Sequence, residues 1–289
     1  MISQDHECSR KVYTVGLFRT GTNSLYETFR REFRAAHEFM LRPMWAAIQS
    51  YVSKEISRAD FIERVKHRAT EGNLEMDAAG FNFFYVDILL GLHPDAKFIL
   101  TLRDAYSWVN SCIDALLSKR QYDAAQTRFI GQFINNIEHL ADNQFEWVEK
   151  REDRICVEQL VKLWAAANTF LLRAIPPERL LVLYTDSLSD SIHEIAPFIG
   201  VSENELSTAH ANAGRGLNYL ACFDPQALER IFAVHASELM TERFPGMTLS
   251  AFLRSSRAPV AANPADVLQV FTLSCRNGAD AASSVQCQT

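Results

Sequence analysis

The chain has 289 residues, 48% of them hydrophobic, and a formal net charge of −6 at pH 7, which allows one large domain or two small ones around an ordinary packed core. The acidic balance excludes a nucleic-acid surface as the main business but leaves room for a local basic pocket. The cysteines at 8, 112, 156, 222, 275 and 287 fall singly, no apolar run approaches the roughly 20 residues of a membrane span, and MISQDHECSRK lacks an apolar targeting core, so free thiols, a cytoplasmic location and no membrane partner are expected.

The first apolar run, VYTVGL at 12–17, reads as a strand. It leads into VGLFRTGTNSL, 15–25, where a turn passes through Gly21 and a helix opens near Asn23 or Ser24, with Leu25, Phe29 and Phe33 four apart on its apolar stripe. A strand-to-helix loop gathers backbone N–H groups and the positive end of the helix dipole, which suits a phosphate or sulfate. Gly16 and Gly21 have the spacing of a Walker A loop, but Thr22 and Asn23 stand where lysine and then serine or threonine belong. The charge comes earlier, as Arg19, with hydroxyls at Thr20, Thr22 and Ser24; the alternative is a tight turn with an exposed arginine. Downstream, residues 81–92 place Phe81, Phe84, Tyr85, Ile88, Leu89 and Leu92 on one helical stripe. The expected class is α/β, a three-layer P-loop-like fold with a central parallel sheet flanked by helices.

In KFILTLRDAYSWVNSCI, 97–113, a buried strand delivers Arg103 at its end, and the following helix offers Ser111 eight residues later. Together with the RTGT loop, this resembles the cofactor site of sulfotransferases that use 3′-phosphoadenosine 5′-phosphosulfate (PAPS). The resemblance implies that Arg19, Thr20, Gly21, Thr22, Asn23 and Ser24 surround the phosphosulfate, with Arg103 and Ser111 on the 3′-phosphate and no metal. Arginine at 19 replaces the lysine of many relatives. It can neutralise charge, but its pKa makes it a poor proton donor, so its role is electrostatic.

Family members place a histidine or glutamate base before the helix that leads to the Arg-x7-Ser strand. Here that place reads NLEMDAAGFNFF, with Asp77 as first choice and Glu75 as second. Asp77 is equally suited to cap the helix beginning near Gly80 or Phe81. His37, in RAAHEFM, is the third candidate, as base or acceptor ligand. Phe81, Phe83, Phe84, Tyr85 and Trp45 could line an acceptor pocket, although such stripes are more often core. Carboxylates at the mouth would suit a cationic or polyhydroxylated acceptor.

Residues 124–174 read as almost wholly helical up to Pro176 and Pro177. RLLVLYTDSLSDSIHEIAPFIGV, 179–201, is similar to the family's next strand and helix, which puts Tyr184 against the adenine. HANAGRGLN, 210–218, resembles the loop that closes over the 3′-phosphate, with Arg215 as the charge and Gly214 and Gly216 as flexible backbone. Residues 1–257 would form one domain and 258–289 a C-terminal extension that could carry an oligomer contact. The expected activity is transfer of a sulfuryl group from PAPS to a hydroxyl or amine of a small molecule, such as a cationic product of secondary metabolism. A kinase using ATP and magnesium and a non-catalytic nucleotide-binding protein are the alternatives.

Overall fold

A computed structural model describes residues 10–118, 124–139, 145–148, 154–208, 217–255 and 264–274. Their strands, in chain order, are β1 (Val12–Thr14), β2 (Ala35–His37), β3 (Met76–Ala78), β4 (Lys97–Leu102), β5 (Ile137–His139), β6 (Phe145–Trp147), β7 (Ile155–Cys156), β8 (Leu180–Tyr184) and β9 (Phe271–Thr272). Two compact units emerge. One comprises Met1–Arg103, Ala141–Asn143 and Ala167–Ala213, the other Asp104–Leu140, Gln144–Ala166 and Gly214–Thr289.

The first unit is built on five strands in the order β2-β3-β1-β4-β8, all parallel. Every strand therefore ends at one edge of the sheet, where the connecting loops gather. Flanking helices cover both faces, as an α/β fold of three layers requires for a parallel sheet. On one face Val12, Met76, Ala78 and Ile99 pack with Leu25 and Phe29 of helix α1 (Thr22–Phe29) and with Ile195, Ala196 and Ile199 further along the chain. The alternate residues turn to the other face. There Tyr13 stacks on Phe98 with ring centroids 5.8 Å apart, and Asp77 meets an arginine, described below.

Helix α2 (Leu41–Val52) follows β2 and packs on α3 (Arg58–Gly72). Ser57 and Asp60 close a reciprocal capping box at the start of α3, satisfying two N–H groups that the first turn leaves open. The predicted stripe at 81–92 becomes a 3-10 turn, Asn82–Tyr85, continuing into helix α4 (Val86–Leu92). Phe81, Phe83, Phe84 and Tyr85 are all buried.

In the second unit, helix α5 (Ala105–Leu117) starts at Asp104, whose carboxylate accepts the Ser107 N–H at 2.9 Å. The long helix expected over 124–174 is instead two helices, α6 (Ala124–Asn136) and α7 (Val157–Ala174), separated by an antiparallel β5–β6 pair and by β7. Two adjacent asparagines close α6, and their side chains favour local hydrogen bonds over helix continuation. Asn135 binds Arg154 O through its amide nitrogen at 2.6 Å and accepts the Cys156 N–H at 2.8 Å. The expectation of six free thiols is also corrected. Cys112 and Cys222 are free, but Cys156 is disulfide-bonded, and its partner lies outside the described residues. After the small-residue stretch, the helix Pro264–Val270 leads into β9, which pairs with β7 and buries Val267 and Phe271 completely. No described helix is long and apolar enough to cross a membrane.

Candidate functional site

Beyond β1 the chain turns through Gly16 to Gly21 and enters α1 at Thr22. Gly16 is required by contact: a Cβ there would stand 2.1 Å from Thr101 Oγ1 and 2.8 Å from the Thr101 carbonyl of β4. At Gly21 the requirement is conformational, with φ of 106° in the region that L-residues avoid. Arg19 also has positive φ, 68°, although it has a Cβ. Gly21 occupies the N-cap position of α1 and supplies no side chain, so none caps the helix. The Thr22, Asn23 and Ser24 N–H groups precede the first helical bond, Leu25 N–H to Gly21 O at 3.1 Å. Such a helix start can bind an anion.

Thr20 differs from the expected donor role. Its buried hydroxyl gives its hydrogen bond to Leu17 O at 2.6 Å, with Thr101 Oγ1 also 2.6 Å away. The Thr185 hydroxyl just after β8 binds Thr20 O at 2.8 Å, and Arg103 Nη1 donates to Arg19 O at 3.2 Å. Thr20 thus stitches the loop to the sheet, while Arg103 at the end of β4 grips the loop's backbone.

His37, the last residue of β2, pairs in register with Ala78 and faces α1. Its Nε2 lies 3.3 Å from Thr22 Oγ1, and its ring is tilted against Tyr26 with centroids 6.2 Å apart. Burial pushes its pKa below the ordinary 6.5, while the Glu38 and Asp77 carboxylates pull it back up.

Asp77 pairs in register with Ala36 and therefore faces away from α1. Both its oxygens are held by the Arg68 guanidinium of α3, one of them at 2.8 Å, and both side chains are 4% exposed. It neither caps the following 3-10 turn, where Phe81 is the uncapped N-cap, nor offers an unengaged carboxylate. Glu75 lies before β3, at the opposite end of the strand from the loop, and accepts the Arg34 N–H at 2.9 Å. Of the three candidate bases, only His37 touches the residues of the anion loop.

Tyr184 closes β8 and is exposed, paired in register with Leu102. Ser111 is a buried residue of α5 in the second unit. Arg215 and Gly216 lie outside the described residues. Trp45 of α2 packs edge-on to Phe84 with centroids 5.9 Å apart, so these aromatics are in part core.

A family model described as a sulfotransferase domain matches residues 11–217, a span that contains the loop, His37 and all five strands of the sheet. The chain belongs to the sulfotransferase family. A search of curated proteins finds no match. Among solved structures, a sulfotransferase from Alicyclobacillus acidocaldarius is similar at 17% identity with a TM-score of 0.48, covering 85% of this chain and 99% of that one. Sulfotransferase STF9 from Mycobacterium avium is similar at 13% identity with a TM-score of 0.48, covering 81% and 77%.

For this sulfotransferase-family chain, reading the sequence missed three residues that organise the site: Thr101, Thr185 and Arg68. The two threonines carry no spacing signal, because their partners are 81 and 165 residues away. Arg68 did leave one. Phe61, Val65 and Arg68 are the buried residues of α3, so the arginine occupies the third position of an i, i+4, i+7 stripe that otherwise takes apolar side chains.

Proposed function

We propose that the protein transfers the sulfuryl group of PAPS to a hydroxyl or amine of a small-molecule acceptor, with His37 as general base. The observation that carries this reading is the contact between His37 Nε2 and Thr22 Oγ1 at the uncapped start of α1, in a chain whose family moves sulfuryl groups. The acceptor oxygen or nitrogen attacks sulfur, the bond from sulfur to the 5′-phosphate oxygen breaks, and His37 takes the acceptor's proton. Arg19 and the N–H groups of Thr22, Asn23 and Ser24 offset the charge of the transferred group and leaving phosphate. A neutral imidazole is needed for this, and burial of His37 favours it.

The family motif assigns Arg103, Ser111 and the Arg215–Gly216 segment to the 3′-phosphate, and Tyr184 to the adenine. Oligomer contacts through the C-terminal segment belong to the same proposal. The carboxylates that would have drawn a cationic acceptor, Asp77 and Glu75, are engaged by Arg68 and the Arg34 N–H, so no charge on the acceptor is required.

The test compares binding of adenosine 3′,5′-bisphosphate with that of ATP plus magnesium, then assays sulfate transfer from PAPS to a panel of phenols, alcohols and amines. Tight bisphosphate binding with transfer supports the reading. Preference for ATP refutes it, and bisphosphate binding without transfer to any acceptor reduces the protein to a nucleotide-binding module.

A further inference from the structure

We infer that Arg68 and Asp77 are positioning residues for His37, forming a buried clamp that fixes the turn carrying the imidazole. This rests on the reading of His37 as base. The turn needs fixing because Glu38 and Met40 both have φ of 54°, a left-handed conformation that L-residues leave unless neighbours hold them there. Its own backbone contributes Glu38 N–H to Ala78 O at 3.2 Å, Leu41 N–H to Glu38 O at 3.0 Å and, where α2 begins, Met44 N–H to Met40 O at 3.0 Å, none of which involves Phe39.

Helix α3 supplies the rest. Arg68 Nε donates to Phe39 O at 2.9 Å, while its two terminal nitrogens hold Asp77 on β3, the strand beside His37. One guanidinium thus ties the middle of the turn to the adjacent strand. Gly72, one turn later on α3, admits the Phe39 ring, since a Cβ there would lie 3.1 Å from Phe39 Cε1. The cation also lies over Phe81, 5.1 Å from the ring centroid. A buried charge pair with weak net stabilising value therefore has a use: it sets a backbone position that apolar packing would leave looser.

The same pair places charge near His37. Tyr26 from α1 packs against the imidazole and Glu38 follows it in the turn, while Asp77 projects from the other face of the sheet and acts on His37 through its charge alone, held by Arg68 and with the Tyr13 hydroxyl of β1 near that pair. Removing the Asp77 charge lowers His37's affinity for a proton, because a carboxylate that favours imidazolium is lost and Arg68 is left uncompensated.

Two substitutions in the full chain separate position from charge. Arg68→Lys keeps the charge but loses the fork and the hold on Phe39. Its kcat should fall about ten- to a hundredfold, with adenosine 3′,5′-bisphosphate affinity within about twofold of the parent and the acid limb of the pH–rate profile unmoved. Asp77→Asn should move that limb to lower pH. It should likewise lower the pH at which the His37 imidazole titrates by NMR, its resonance assigned by its loss in His37→Gln. Parental kcat in Arg68→Lys, or a His37 resonance that titrates in Asp77→Asn where it does in the parent, overturns the clamp. The NMR titration needs no turnover and no folded Arg68→Lys protein. Full activity in His37→Gln would remove the base assignment alone, leaving the titration to decide whether Asp77 acts on His37.

Discussion

Burial holds the His37 imidazole below the ordinary histidine range, and the sign of that shift makes two predictions. A general base must be unprotonated, so turnover should rise with pH through the His37 ionisation, at a pH below about 6.5. His37→Gln should lower kcat by about a hundredfold or more while sparing nucleotide affinity. For stability the unfolded chain takes up the proton first, near 6.5. The His37 contribution is therefore complete above that pH and is lost as pH falls through the folded value. Urea unfolding of His37→Gln should show a flatter pH dependence in that window. On the proposed contact of Arg103 with the 3′-phosphate, alanine there should weaken binding of adenosine 3′,5′-bisphosphate by about 2–4 kcal/mol, because that charge-assisted contact would be lost and the phosphate left unpaired. Unchanged affinity by calorimetry would take Arg103 out of the site. The places of Arg19 in the loop and Arg103 at the end of β4 follow in the sequence from adjacent strands and glycines. Which candidate base lies beside the loop was harder to read: Asp77 and His37 stand on neighbouring strands, and only register and side-chain alternation decide which of them faces α1.

At the scale of elements, the β1-loop-α1 unit and β4 were legible because short apolar runs bounded by glycine or charge read as buried strands in any context. The loop's dependence on Gly16 can be tested directly. Gly16→Ala drives a Cβ against a strand carbonyl as well as a hydroxyl, so backbone must move. About 1–3 kcal/mol of stability should be lost, read from urea unfolding. If the alanine protein is as stable as the parent, β1 and β4 are not packed as closely as the Thr101 contact implies. The break between α6 and α7 was not legible. Ile137 and Phe145 suit a helix stripe and a strand equally well, and the deciding bonds, from Asn135 to Arg154 and Cys156, close a loop whose length no local pattern encodes.

At the scale of the whole molecule, the C-terminal part is where composition misleads. SSRAPVAANPAD reads as a loose boundary, yet residues 264–274 return to the second unit. There Leu273 O accepts the Glu158 N–H at 2.9 Å. Burial pushes the Glu158 carboxyl up, but hydrogen bonds from Ser274, Lys162 and His235 outweigh it and leave the group below its ordinary range. A chain ending at residue 257 loses two fully buried apolar side chains, Val267 and Phe271, each worth about 1.5–3 kcal/mol. It should unfold at least about 3 kcal/mol more easily in denaturant, and unaltered stability would mean that the segment is dispensable to the second unit. Long-range return of a short segment is set by tertiary packing and leaves no periodic trace.

The left-handed Arg19 bears on how such a protein can change over generations. Holding an L-residue there costs about 1–2 kcal/mol, more than the roughly 0.5–1 kcal/mol of extra chain freedom that glycine would have to give up. Arg19→Gly should therefore fold slightly more stably while binding PAPS less well. If Arg19 serves the proposed sulfuryl transfer, a descendant freed from selection for it would be expected to lose the arginine early, because drift and stability then point the same way.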